Sequence, residues 1–401
     1  MDVLSLFQLL GTDTPALQGG FFLWVKEPVE VLEGGPEDWS KLEERLEAYR
    51  EKKESDPLHP PGAAVGQFSY EGNFRFAFHE RVEVIAAGSL SLPTLRLPGA
   101  LGGITDPSSG WSASCTQQEY EGMVREAQEA IRRGDVYQVN LAQRFHREVT
   151  SWDASRFFQA LWQLTAAPYS ALLRWPDRDL VAASPELFLS IQGRRVTTQP
   201  IKGTRPRSRQ AMDDRRNALE LSTDPKEVAE LVMITDLERN DLGTFCEYGS
   251  VEVKELVRCR TYSHVFHLVS TIVGRMREGC RPLQAVRHCF PGGSITGAPK
   301  RTAMELIRRL EGRERGSYTG AFGYFGFDGS MQLGMAIRTC EQVRGCLSFW
   351  AGSGITMDSN PGREWQETHH KARAMQEAYA LYERTREQDG ETAAGVVRRE
   401  S

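Results

Sequence analysis

Apolar positions along the chain follow two periods, and the period changes repeatedly. In the first 110 residues, short apolar runs lie between Gly and Pro clusters, a pattern that predicts strands. Examples are Phe21-Phe22-Leu23-Trp24-Val25 and Val82-Glu83-Val84-Ile85-Ala86. The charged, amphipathic stretch 39–54 predicts a helix, ended by Asp56-Pro57 and Pro60-Pro61-Gly62. Thr116 can cap a helix over 117–133. Beyond it, strands are predicted over 136–145, 170–175, 187–191 and 196–200, with a helix over 157–164. Thr223-Asp224-Pro225 reads as a helix start, a capping side chain followed by Pro at the first helical position, and the helix is expected to run to about 238. Strands are predicted again over 322–327, 331–338 and 347–351, then a long helix over 363–386.

Strands and helices are mixed without strict alternation, so the fold class expected is α+β. A composition shift at 107–110 suggests a boundary between an N-terminal region, 1–110, and a larger region, 111–386. The stretch 387–401 has few large apolar residues and is expected to be a disordered tail.

The 401 residues allow one large or two modest domains, and 40% hydrophobic residues suffice for a sizeable core. A net charge of −5, with both signs mixed along the chain, argues against general nucleic-acid binding. The seven cysteines form no C-x-x-C pair and are odd in number, which disfavours a disulfide framework or structural zinc and fits a reducing cytosol. No apolar run approaches the roughly 18 residues that span a bilayer, and no basic leader precedes Leu6 to Leu10. The expectation is a cytoplasmic protein, with no membrane and no nucleic acid as partner.

Several segments could carry chemistry. Lys202, in Pro200-Ile201-Lys202-Gly203-Thr204, is either a nucleophile in an anion pocket or part of a basic loop. Glu227 and Glu230 share one face of a helix, and Glu364, Glu367 and Lys371 share a face of the last one. Two such faces could hold a hard cation, although on spacing alone solvated surfaces are the plainer reading. Residues 291–300, Pro-Gly-Gly-Ser-Ile-Thr-Gly-Ala-Pro-Lys, fail the P-loop pattern because Ala298-Pro299 separate Gly297 from Lys300. The loop opens a helix, and the hydroxyls of Ser294 and Thr296 would suit a carboxylate; a cap plus turn is the plainer alternative. Gly352-Ser353-Gly354 reads as a second Gly-rich turn. His264 and His267, three apart, are read as lying on a helix, either as a metal pair or as one buried hydrogen-bonding histidine. His369-His370 are adjacent, so both cannot serve one ion with Glu367.

Together these segments resemble the chorismate-utilising enzymes, a family that includes anthranilate, aminodeoxychorismate, isochorismate and salicylate synthases. The resemblance is dense over 117–377 and loose in the N-terminal, anthranilate-synthase-I-like region. It is carried by Gly134-Asp-Val-Tyr-Gln-Val-Asn-Leu-Ala-Gln-Arg-Phe145, Ser184-Pro-Glu-Leu-Phe188, Pro200-Ile-Lys-Gly-Thr204 and Asp236-Leu-Glu-Arg-Asn-Asp-Leu-Gly243. His267-Leu-Val-Ser-Thr271, Gly297-Ala-Pro-Lys300, Ala336-Ile-Arg-Thr339 and the run from Gly352 to Lys371 complete it. The fold implied is a two-layer sandwich of mostly antiparallel sheets with helices outside.

Two positions sort the branches. Gln138 stands where water-adding relatives resemble one another in having a Lys base, and Gln cannot deprotonate water. Lys202 stands where anthranilate synthases usually have Ala and the aminodeoxychorismate synthases have Lys. The resemblance therefore implies amination of chorismate at C4, for 4-aminobenzoate and folate synthesis or an aminated secondary metabolite. Lys202 would be the covalent nucleophile, Glu186 the acid for the departing hydroxyl, and His267 a neighbour of the reacting ring. Gly203, Thr204, Thr296, Tyr318, Arg338, Gly354 and Lys371 would bind substrate. Mg²⁺ would be held by Glu230 and Glu367, with Glu227 and Glu364 through water. A free Lys is almost wholly protonated at neutral pH, so its pocket would have to lower its pKa by roughly 2–3 pH units. Glu186 would need the opposite shift. No glutaminase signature is found, so ammonia is expected from a separate glutamine amidotransferase subunit, and no fused lyase is expected after the last helix. The alternatives are amination at C2, as in an anthranilate synthase component I, and a non-catalytic chorismate-binding subunit.

Overall fold

The computed structural model describes residues 5–9, 21–25, 27–50, 61–86, 106–262 and 264–397. Its strands are β1 (Ser5–Leu9), β2 (Phe21–Val25), β3 (Glu30–Gly34), β4 (Ala63–Phe68), β5 (Phe74–His79), β6 (Glu83–Ala86), β7 (Ser112–Ala113), β8 (Gln138–Glu148), β9 (Tyr169–Arg174) and β10 (Arg178–Ser184). There follow β11 (Leu187–Gln192), β12 (Arg195–Gln199), β13 (Ile201–Pro206), β14 (Glu252–Thr261), β15 (Val265–Arg275), β16 (Gly297–Ala298), β17 (Ala321–Gly326), β18 (Met331–Met335), β19 (Thr339–Val343) and β20 (Cys346–Ile355). The helices are α1 (Trp39–Ala48), α2 (Gln117–Arg132), α3 (Ala154–Thr165), α4 (Ala211–Thr223), α5 (Pro225–Gly243), α6 (Pro282–Cys289), α7 (Lys300–Glu311) and α8 (Pro361–Val397).

The strands form two antiparallel sheets. One runs β16-β8-β20-β19-β10-β9-β1-β2-β6, with β7 beside β8; the other runs β13-β15-β12-β11-β18-β17-β4-β5-β3, with β14 beside β15. Strands from the first 110 residues are woven into both. The sheets face each other across a layer that includes Leu23, Tyr169, Ala171 and Leu180 from one and Val65, Leu187, Phe322 and Tyr324 from the other. Helices cover the outsides. α3 and α8 pack Phe157, Leu161, Met375 and Tyr382 on the first sheet, and Trp39 and Leu42 of α1 and Leu283 and Val286 of α6 pack on the second. The chain is thus the α+β sandwich that the resemblance implied.

Local signals explain most elements. Thr116 accepts from the Glu119 amide and Glu119 reaches back to the Thr116 amide, so α2 begins where its cap was read. Asp224 accepts from the amides of Lys226 and Glu227 ahead of Pro225, and α5 runs to Gly243, one turn further than expected. Four expectations are corrected. α1 stops at Ala48 rather than near 54, with the Tyr49 amide bonded back to Arg45 and Glu47; residues 51–54 lie outside the described ones. His267 lies in β15, not a helix, and His264 immediately precedes that strand. The residues Val265–Arg275 are rich in β-branched side chains and almost continuously buried, the character of a central strand, and the spacing of three was coincidental. Gly352-Ser353-Gly354 is not a turn but part of β20, where each residue pairs with β8. α8 continues to Val397, into the stretch expected to be disordered.

Candidate active site

Lys202 is on a strand rather than in a basic loop. β13 pairs with β15, Lys202 opposite Leu268 and Thr204 opposite His267, and the register slips between them. The extra residue is Gly203, at φ +67°, a bulge that turns the strand next to the site. A Cβ there would stand 2.6 Å from Leu221 Cδ1 and 3.2 Å from Glu227 Oε2. Glycine is therefore needed both for the backbone conformation and for the approach of α4 and α5. Lys202 Nζ donates to the Ser294 carbonyl at 3.2 Å.

Glu186, between β10 and β11, is 3% exposed. Burial pushes its carboxyl group up to about 7, against the lowering effects of the Ser294 hydroxyl, which donates to Oε1, and of the Lys202 charge. A carboxyl group held there carries a proton at neutral pH about half the time. Thus one loop residue, Ser294, touches both the amine and the acid. Ser294 does meet a carboxylate, but it is the protein's own. Thr296 is fully buried, and its hydroxyl donates to the Gly292 carbonyl at 2.8 Å, so it fastens the loop. Lys300 is drawn away to Asp241 Oδ2, at 2.7 Å, and the Cys289 carbonyl.

His267 is 2% exposed. Its Nδ1 lies 3.0 Å from the Gly203 carbonyl and 3.1 Å from Thr204 Oγ1. A carbonyl only accepts, so Nδ1 carries the hydrogen and Nε2 is a lone-pair acceptor, buried without a partner among the described residues. Burial and the nearby Arg338 charge push the imidazole down to about 4, against the hydrogen bond to Gly203, so the ring is neutral at pH 7. Arg338 sits between β18 and β19 at φ +49°, its carbonyl accepting from Ala183. Desolvation weakens the guanidinium's hold on its proton, and no carboxylate among the described residues pairs with it. A desolvated guanidinium without a counter-charge is suited to a ligand carboxylate. Tyr318 is 7% exposed and stacks on Trp350 with ring centroids 5.8 Å apart.

Gly354, on β20, lies where Gln138 of the neighbouring β8 and Glu230 of α5 meet. A Cβ there would stand 2.3 Å from Gln138 Nε2 and 3.6 Å from Glu230 Oε2. Gln138, on β8, is 2% exposed, and its Oε1 is buried without a partner among the described residues. Of the four glutamates, burial raises Glu227 and Glu230, each also pushed up by Glu367, whereas Glu367 itself, despite burial, is held low chiefly by Lys371. Lys371 lies 2.7 Å from Glu367 and donates to the Gly352 carbonyl at 2.9 Å. Lys226 stands between Glu230 and Glu364. Glu364 is 3% exposed, and its Oε2 has no partner among the described residues. These are hard oxygen donors with an orphaned buried oxygen, a donor set that fits a hard cation, although among the described residues no three such side chains already converge at ligand spacing.

The sequence reading missed Glu238, although its motif was noted. This carboxyl group, 7% exposed, accepts from Thr198 Oγ1 at 2.8 Å, and burial together with the neighbouring Glu186 charge raises it well above the usual range. It also missed Arg315, which binds the Glu311 carboxylate and the carbonyls of Ile295 and Asn140, tying the Ser294 loop to β8. Glu238 lies in Asp236–Gly243, one of the segments that carry the resemblance, whereas Arg315 has no sequence signal beyond an ordinary charged residue.

Residues 102–377 match the family described as chorismate binding enzyme. An anthranilate synthase component 1 of Haloarcula marismortui is 45% identical over 265 residues, 66% of this chain and 54% of that protein. An aminodeoxychorismate synthase component 1 of Bacillus subtilis is 39% identical over 278 residues, 69% of this chain and 59% of that protein. The chain thus spans less than two thirds of the length of these curated relatives. The crystal structure of anthranilate synthase component I from Streptococcus pneumoniae matches with a TM-score of 0.74 at 28% identity, over 92% of this chain and 94% of that one.

Proposed function

The chain belongs to the chorismate-binding enzymes, and we propose that it aminates chorismate at C4, giving 4-amino-4-deoxychorismate as an aminodeoxychorismate synthase component I. The observation that carries this reading is Lys202, an amine on a bulged strand whose loop partner Ser294 also holds the buried acid Glu186.

The amine of Lys202, in its neutral form, attacks C2 of the substrate. The double bond shifts, and the C4 hydroxyl leaves as water with the proton of Glu186. Ammonia then attacks C4, the double bond returns, and the C2–N bond breaks with its electron pair going back to Lys202. The new amine's surplus proton restores Glu186. Hydroxide is a poor leaving group, so the acid must be protonated at the working pH, and a carboxyl group held at about 7 meets that need. Arg338 would clamp a substrate carboxylate, with Tyr318, Gly354, Lys371 and Thr204 around it. Gly203 would shape the strand, and Thr296 would hold the loop. The neutral His267 presents Nε2 beside the ring. Mg²⁺, when bound by Glu230 and Glu367 with Glu227 and Glu364 through water, would neutralise the ring carboxylate. Ammonia would come from a glutamine amidotransferase partner, as the designation "component 1" of the relatives suggests.

The other reading is amination at C2 with pyruvate loss, and the several relatives named anthranilate synthase favour it. The mass of the protein after incubation with chorismate and Mg²⁺ without ammonium tests the nucleophile. The expected result is an adduct of chorismate less water on the peptide bearing Lys202. An unmodified Lys202 under conditions that support turnover with ammonium contradicts the covalent route.

A further inference from the structure

Lys226 lies in the first turn of α5. Its Nζ is 3.6 Å from Glu364 Oε1 on α8 and 3.9 Å from Glu230 Oε1 on α5, so one ammonium bridges the two acidic faces. The carboxylates are buried and the lysine is not: the side chains of Glu230 and Glu364 are 12% and 4% exposed, that of Lys226 48%. Glu364 keeps a second oxygen, Oε2, buried with no partner among the described residues. Four carboxylates drawn together repel one another, and something positive must offset them. A lysine is suited to a temporary role, being a compact charge on a flexible stem that can swing into water.

We propose that Lys226 is a tethered cation, offsetting Glu230 and Glu364 beside the place of a divalent ion and leaving when that ion binds. The inference rests on the metal reading given above. It accounts for two observations at once. Among the described residues no three ligand-type side chains converge at metal-binding spacing, and Lys226 stands between two of the carboxylates that would have to close on an ion. The two acidic faces lie side by side, and the lysine between them offsets part of their mutual repulsion. Mg²⁺ and the ammonium cannot share the space cheaply, since both are cations and both draw on Glu230, with Glu364 beside the ammonium directly and beside the ion through water. Binding the ion therefore requires Lys226 to move out, and the metal's affinity is set below what the four glutamates alone would give.

Thermal unfolding midpoints measured against MgCl2 concentration at constant ionic strength, without substrate, test this. The proteins compared are the wild type, Lys226→Met, Lys226→Gln and Lys226→Arg. Without Mg²⁺ the two neutral variants should melt below the wild type. With Mg²⁺ they should gain more, and half of the gain should come at a concentration roughly five- to tenfold lower, the fold-change that two partly screened ion pairs represent. Lys226→Arg, which keeps the charge, should follow the wild type. Equal or weaker binding by both neutral variants, with wild-type binding intact, overturns the inference alone. No Mg²⁺ response in any of the four overturns the metal reading and the inference with it. Lys226→Gln keeps the comparison open if Lys226→Met fails to fold.

Discussion

Ser294 holds Glu186 through its hydroxyl, and the same residue's carbonyl accepts from Lys202. The hydroxyl favours the carboxylate form, so it moderates the rise that burial imposes. In Ser294→Ala that moderation is gone, and the carboxyl group should stay protonated to higher pH. The alkaline limb of the rate profile, read at constant free ammonia, should move upward from about 7. A limb that moves downward contradicts the assignment of Glu186 as the acid.

Glu186 should also cost stability as pH rises. Its folded value of about 7 lies above the ordinary carboxyl value of 4.5, so the folded state holds a proton that the unfolded chain has released. The cost is absent below the unfolded value, grows between the two values and is complete above the folded one. At pH 8 it should amount to about 2–4 kcal/mol. Glu186→Gln should therefore be inactive yet more stable than the wild type at pH 8, with the difference shrinking towards pH 5. Urea unfolding at the two pH values measures this, and a variant less stable at pH 8 than at pH 5 relative to wild type refutes it.

Gly203→Ala should lose both stability and activity. The backbone lies at φ +67°, and the added carbon would meet Leu221 at 2.6 Å. The expected penalty is about 1–3 kcal/mol in urea unfolding, with a fall in kcat because the strand carrying Lys202 must shift. An unchanged unfolding midpoint would show that the bulge is easily relaxed.

How far the site was legible follows from these residues. The helical faces of Glu227, Glu230, Glu364 and Glu367 and the caps at Thr116 and Asp224 depend on local spacing, and the sequence carries them openly. The Lys202 segment looked like a basic loop because its strand character depends on pairing with β15, a partner more than sixty residues away. His264 and His267 mimic a helical pair, while the β-branched run that makes β15 a strand lies mostly in the residues after them. Gly352 and Gly354 looked like a turn because glycines that make room for a neighbouring strand cannot be told from glycines that turn. Glu238 and Arg315 acquire their roles only from what tertiary packing buries beside them.

Arg338 should govern substrate affinity. Its guanidinium has no carboxylate partner among the described residues, so its binding capacity is free for a ligand. Arg338→Ala should lower kcat/KM by roughly 10- to 150-fold, the equivalent of about 1.5–3 kcal/mol for hydrogen bonds to a charged group, mostly through KM. Arg338→Lys should recover only part of this, because an ammonium cannot form the two-pronged contact. Steady-state kinetics with chorismate varied decide it, and an unchanged KM in both variants would remove Arg338 from the pocket.

The most direct test of amination at C4 is the identity of the product. The protein is incubated with chorismate, Mg²⁺ and ammonium at alkaline pH, and the product is analysed by mass and fluorescence. The account predicts a compound that keeps the enolpyruvyl group and has NH2 in place of OH, formed by the wild type and lost in Lys202→Ala. Direct formation of fluorescent anthranilate, with pyruvate released, would contradict it.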